Sequence, residues 1–237
     1  MVFLTDGSSH ANGVQGEKDA IVLLEAQHTG LFGDDIVFVP RGGTTTPKDI
    51  IVKMYGVEIS SISWKTHKSG TFDWVNSPAS KYLSDPDSLK KDLEDIKAEK
   101  LSVEDTRKKT YTLFNRHIHS LDIRKVLEMI HERSPEYVIV NHAGKLNTFL
   151  HTEVFAPFYS STCTYYLKSG KAITSAKIWC KDGDNDFDTH LRVRLTFNNG
   201  ITAFMGTNPK NKTSVPVIKI QQDDVKGLLS RVNKLTL

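Results

Sequence analysis

Hydrophobic and polar positions alternate along this chain in two distinct periods, and the changes between them predict its elements. From Gln15 to His28 the period is helical: Glu17, Ala20, Ile21, Leu24 and His28 share one face, with Gly30 as terminator and the polar stretch Ser8–Gly13 as a flexible lead. Asp35–Val39 is a short apolar strand stopped by Pro40, and the turn-rich Arg41–Pro47 follows. Asp49–Val52 and Val57–Trp64 read as two strands joined tightly. Ser84-Asp85-Pro86-Asp87 starts a charged surface helix carrying Leu89, Leu93 and Ile96. A further helix runs from a cap at Ser120 through Ile123, Val126, Leu127 and Ile130 to Ser134-Pro135. The apolar run Tyr137–Val140 comes directly after it, the pattern of a crossover into a buried, often parallel, strand.

The remainder is β-rich. Lys168–Lys171 joins two strands, and Asn199-Gly200 predicts a two-residue hairpin between Leu191–Phe197 and Ile201–Met205. Asp223 to Leu235 closes the chain as an amphipathic helix through Val225, Leu228, Leu229 and Val232. With no repeat or low-complexity linker, the expectation is one α/β domain over 1–237. It has a mixed central sheet flanked by helices (about 13–141) and an added C-terminal antiparallel β-sheet region (about 148–237).

Composition narrows the functional classes. A 237-residue chain with 38% hydrophobic residues buries a real core, which excludes a disordered tail. No apolar run approaches the roughly 20 residues of a bilayer span, and Met1–Gly13 lacks a signal pattern, so a cytoplasmic protein without membrane association is expected. Cys163 and Cys180 are too few for a disulfide framework and read as thiols of a reducing compartment. A net charge of +3 excludes binding by bulk charge alone but permits a local basic groove.

The chemistry concentrates in Pro47–Ser60. A loop at Lys53-Met54 would set Asp49 opposite Glu58, about 5 Å apart at Cβ. Two like charges facing each other are tolerated when a divalent cation bridges them, and carboxylates are the hard ligands Mg²⁺ prefers. The alternative is that Asp49 caps a strand start and Glu58 faces water.

Gly13–Leu24, with its glycine-then-glutamate opening, resembles the first helix of the PD-(D/E)XK nucleases. The order of helix, strand, Pro-x-Asp strand, Glu strand, later helix and short apolar strand resembles that family too, over residues 13–65 and 120–140. The resemblance implies a restriction-endonuclease-like core and a Mg²⁺-dependent endonuclease (Mn²⁺ substituting) that hydrolyses DNA, with homodimerisation to cut both strands. Carried over by residue, it implies Asp49 and Glu58 as metal ligands, Glu17 completing the site, and the carbonyl of Ile59 as a backbone ligand. The metal would lower the pKa of a bound water and neutralise charge on the phosphate.

Ser60 departs from the pattern, which wants a lysine two residues after the glutamate. Lys65 is the preferred substitute, ahead of Lys68 and Lys53. On an unbroken strand it faces away from Glu58 and reaches the site only past a bulge or bend near Ser61–Ser63. Without such a lysine the fold would serve as a non-catalytic nucleic-acid- or protein-binding scaffold.

Trp64–Asn76 mixes lysines, hydroxyls and aromatics as a nucleic-acid groove would, unless Phe72 and Trp74 dock into the core. Thr44–Lys48 offers phosphate contacts of the same kind. Arg192 and Arg194 share a strand face and, with Lys177 and Lys181, form a candidate basic stripe against DNA. Asp182–Asp188 lacks the glycine and final glutamate of an EF-hand and reads as a solvated acidic turn. His117 and His119 alone suggest a polar patch, with a zinc hydrolase as the weaker alternative.

Overall fold

A computed structural model describes residues 8–28, 35–41, 48–66, 70–133, 135–142, 145–155, 162–169 and 175–232. The expected Gly30 stop, the 42–47 turn with Thr44–Thr46, Lys68, and the Gly170-Lys171 connection lie outside the described residues.

In chain order the first elements are α1 (Ser8–His28), β1 (Ile36–Pro40), β2 (Ile50–Met54), β3 (Val57–Thr66) and β4 (Phe72–Pro78). Three helices follow: α2 (Pro86–Ala98), α3 (Val103–Ile118) and α4 (Ile123–Arg133). Then come β5 (Tyr137–His142), β6 (Lys145–Leu150), α5 (His151–Phe155), β7 (Thr164–Ser169) and β8 (Ser175–Asp182). The last are β9 (Asn185–Phe197), α6 (Gly200–Phe204), β10 (Pro216–Gln222) and α7 (Val225–Arg231). The fold is α/β, with one mixed and one antiparallel sheet. Among the described residues no helix is long and apolar enough to cross a membrane.

The chain divides into two compact units. The first gathers residues 1–70, 132–157 and 225–237, and the second gathers 71–131 and 158–224.

The first unit carries a sheet of order β1-β2-β3-β5-β6. β3 and β5 run parallel, with Ile62 opposite Tyr137 and Trp64 opposite Ile139, and the other neighbours are antiparallel. Val138, Ile139 and Val140 are all fully buried, as the continuous apolar run predicts for a strand covered on both faces. α1 packs Ala20, Ile21 and Leu24 against Phe38, Ile50, Ile62 and Ile139. The helix starts at Ser8, so the expected flexible lead is helical; no proline interrupts it, and its propensities offer no further reason. In α7, Val225, Leu228 and Leu229 are buried, as their spacing predicts.

The second unit carries an antiparallel sheet of order β4-β10-β9-β8-β7. α2 begins as expected: Asp85 accepts the Ser88 N–H at 3.0 Å and Pro86 occupies the first turn. α4 is capped two residues later than expected, by Asp122, which accepts from the Arg124 and Lys125 N–H groups. α3 was not predicted. Its inward stripe is Thr106, Thr110, Leu113, Phe114 and Ile118, and the two threonines hide the apolar period at its start.

The hairpin expected at Asn199-Gly200 does not form. Residues 200–204 are helical, Ala203 and Phe204 are buried, and the Phe204 ring stacks on Phe197 with centroids 4.5 Å apart. Asn199 donates to Ser214 Oγ and Thr213 O, closing a wide loop that brings β10 beside β9. Side-chain burial thus overrode the Asn-Gly turn preference.

Candidate functional site

β2 and β3 are joined by Tyr55-Gly56, not by Lys53-Met54 as expected. Both residues are left-handed, with φ of 51° and 79°, the requirement of a primed two-residue turn. The turn therefore sits two residues later and the register moves with it. Lys53 lies opposite Glu58, Val52 opposite Ser60 and Ile50 opposite Ile62, with Ile59 as the extra residue of a bulge.

This register separates the two expected metal ligands. Asp49 stands beside Ser63, five positions along β3 from Glu58, roughly 16 Å at ~3.3 Å per residue. Lys48 Nζ donates to Glu58 Oε1 at 2.7 Å, and Arg41 lies 3.7 Å from its other oxygen. The Lys48 hydrogen bond, together with the charges of Lys48, Arg41 and Lys53, holds the Glu58 carboxyl below the usual carboxylate range. Glu58 is an exposed, paired carboxylate and shares no site with Asp49.

Asp49 has a different task. Its Oδ2 accepts the backbone N–H of Trp64 at 2.7 Å and the hydroxyl of Ser63 at 3.1 Å. Its own N–H donates to Ile62 O, and its carbonyl accepts from Arg41 N–H. β2 begins only at Ile50 while β3 runs on past Ile62, so the carboxylate satisfies a strand N–H that the ladder does not cover. This is the strand-capping alternative of the sequence reading. Oδ2 is fixed by two donors, and Oδ1 accepts no hydrogen bond among the described residues.

Alternation assigns the faces. Asp49, Ile51 and Lys53 share one face with Glu58, Ser61, Ser63 and Lys65, because the bulge at Ile59 shifts the phase of β3. Lys65 therefore does lie on the face of Glu58, through a bulge earlier than the one expected, but it is far along the strand from Glu58 and near Ser63. It is half-buried and has no ion pair among the described residues.

The other expected members lie elsewhere. Ile50, Ile62 and the α1 stripe occupy the opposite face. Glu17 lies on α1 one turn before Ala20 and Ile21, which pack on that opposite face. Ile59 is the bulge residue with an exposed side chain, four positions from Ser63, so its carbonyl is not beside Asp49 either. Ser60 donates to Glu136 at 2.8 Å. Among the described residues no group of three or more His, Cys, Asp or Glu side chains is placed to hold a metal.

Of the two readings of Trp64–Asn76, the one with Phe72 and Trp74 docked into the core is the one observed. Phe72 and Trp74 are buried, in edge-to-face contact at 4.9 Å, and the Trp74 indole N–H donates to Gln222. His117 ends α3 with Nε2 3.5 Å from Asp92, and Gly183-Asp184 forms the turn of the exposed β8–β9 hairpin. Ser63 is the residue that sequence reasoning passed over. Its signal was the Ser63-Trp64-Lys65 spacing, legible only once the Asp49 register is known. No protein-family model, no curated protein and no solved structure matches this chain.

Proposed function

We propose that this chain is a metal-dependent nuclease acting on DNA, with its site at Asp49, Ser63 and Lys65. One observation carries the reading: an acid with one oxygen held by two donors stands beside Ser63, and a lysine with no ion pair among the described residues follows two residues later on the same face. Ser63 occupies the position where the PD-(D/E)XK pattern would have its second acid. The connectivity supports the same reading: helix, three antiparallel strands, then a helix leading into a strand parallel to the third.

The metal fit is sparse. The described residues supply Asp49 Oδ1 alone, and Mg²⁺ tolerates this because it keeps several waters and takes other ligands from substrate phosphate. A bound Mg²⁺ or Mn²⁺ would supply a more acidic water and offset phosphate charge. The chain's own part is separate. Trp64 N–H and Ser63 Oγ orient Asp49, and the Lys65 ammonium would offer a cation to the anionic phosphate. Cleavage of both strands calls for a homodimer, which sedimentation would test, and a cytoplasmic setting suits the two buried free thiols.

Plasmid nicking in Mg²⁺ or Mn²⁺, with and without EDTA, tests the assignment. Metal-dependent nicking that disappears in Asp49→Asn and Lys65→Ala supports it. The second reading, a non-catalytic binding scaffold, is favoured by the engagement of Glu58 with Lys48 and Arg41. Absence of nicking, together with a melting temperature indifferent to either metal, would establish the scaffold instead.

A further inference from the structure

The antiparallel sheet of the second unit has one apolar face and one charged one. Ile178, Leu191, Val193, Leu195 and Ile220 are buried on the inner side. On the outer side the register sets cations directly against each other. Lys168 faces Lys177, Lys177 faces Arg192, and Arg194 faces Lys219, so five cations span four neighbouring strands.

Like charges directly opposite each other destabilise a sheet. Three carboxylates offset part of this: Asp188 pairs with Lys177, Asp223 with Arg192 and Asp73 with Lys219. Lys168 and Arg194 have no acid partner among the described residues. The surface keeps a positive balance, held at a strand spacing of ~4.8 Å.

We propose that this row of cations binds the phosphate backbone of duplex DNA. Charge complementarity selects a rod of high charge density, and duplex DNA carries one negative charge per ~1.7 Å of axis. The covered indole of Trp179 favours a duplex over a single strand. The Lys168 ammonium covers the Trp179 ring at 3.9 Å, so this indole is not a free stacking platform. The inference rests on the nuclease reading only in its choice of DNA over another polyanion.

The test is fluorescence anisotropy of a short labelled duplex with the full chain in EDTA, across a salt series. The expected result is salt-dependent binding, weakened several-fold by Arg194→Gln and by Lys168→Gln, each lowering the salt slope by ~1. Unchanged slope and affinity in both variants, or tighter binding of an equally long single strand or of heparin, would overturn the proposal. Salt-dependent duplex binding without any nicking defeats the nuclease reading alone. Nicking with binding indifferent to Arg194 and Lys168 defeats this inference alone.

Discussion

The carboxylate of Asp49 accepts the backbone N–H of Trp64 at 2.7 Å, across the point where β2 begins at Ile50 and β3 runs on past Ile62. One side chain thereby completes a strand with one oxygen, while its other oxygen accepts no hydrogen bond among the described residues. Asp49→Ala leaves the Trp64 N–H and Ser63 hydroxyl without their acceptor and should cost about 1–3 kcal/mol. Asp49→Asn retains an acceptor and should cost less, while removing the charge a cation needs. Thermal melts separate the two variants, and nicking should be lost in both.

Glu58→Gln should leave metal-dependent nicking within about twofold of the parent and move the melting temperature little, because exposed ion pairs contribute little to stability. Loss of nicking in this variant would return Glu58 to the chemistry and contradict the register argument.

The turn at Tyr55-Gly56 needs left-handed backbone at both positions. Gly56→Ala should destabilise by about 1 kcal/mol. Tyr55→Asn, which tolerates positive φ, should be neutral or slightly stabilising. Chemical denaturation of the two variants measures both effects.

Burial would push the Asp188 carboxyl up, but the Lys177 hydrogen bond and the His190 N–H outweigh it and hold it below its ordinary value. A depressed folded-state pKa stabilises fully above the unfolded value of about 3.9, and that contribution fades as pH falls through the folded one. The parent should therefore melt above Asp188→Asn at neutral pH, and the two should converge as the pH drops below about 4. A constant difference down to pH ~2 would remove this pair from the acid dependence.

Particular elements show how far the sequence could be read. The α2 start was legible because Asp85 and Pro86 act locally, and the parallel β5 because a helix leading into Val138-Ile139-Val140 has few other solutions. α3 was not, since Thr106 and Thr110 are polar by type yet buried by packing. The Asn199-Gly200 signal failed because the burial of Ala203 and Phe204 outweighed a turn preference of smaller energy. The candidate site was half legible: Asp49 and Lys65 were singled out, while their relation to each other and to Ser63 was not.

By itself the sequence determined the class of the fold, the buried strand at Tyr137–Val140 and the start of α2, because these depend on near neighbours along the chain. Which acid meets which lysine was decided only in the tertiary structure. A turn displaced by two residues and a single extra residue at Ile59 set the register, and with a side-chain period of two the register alone chooses each partner and each face.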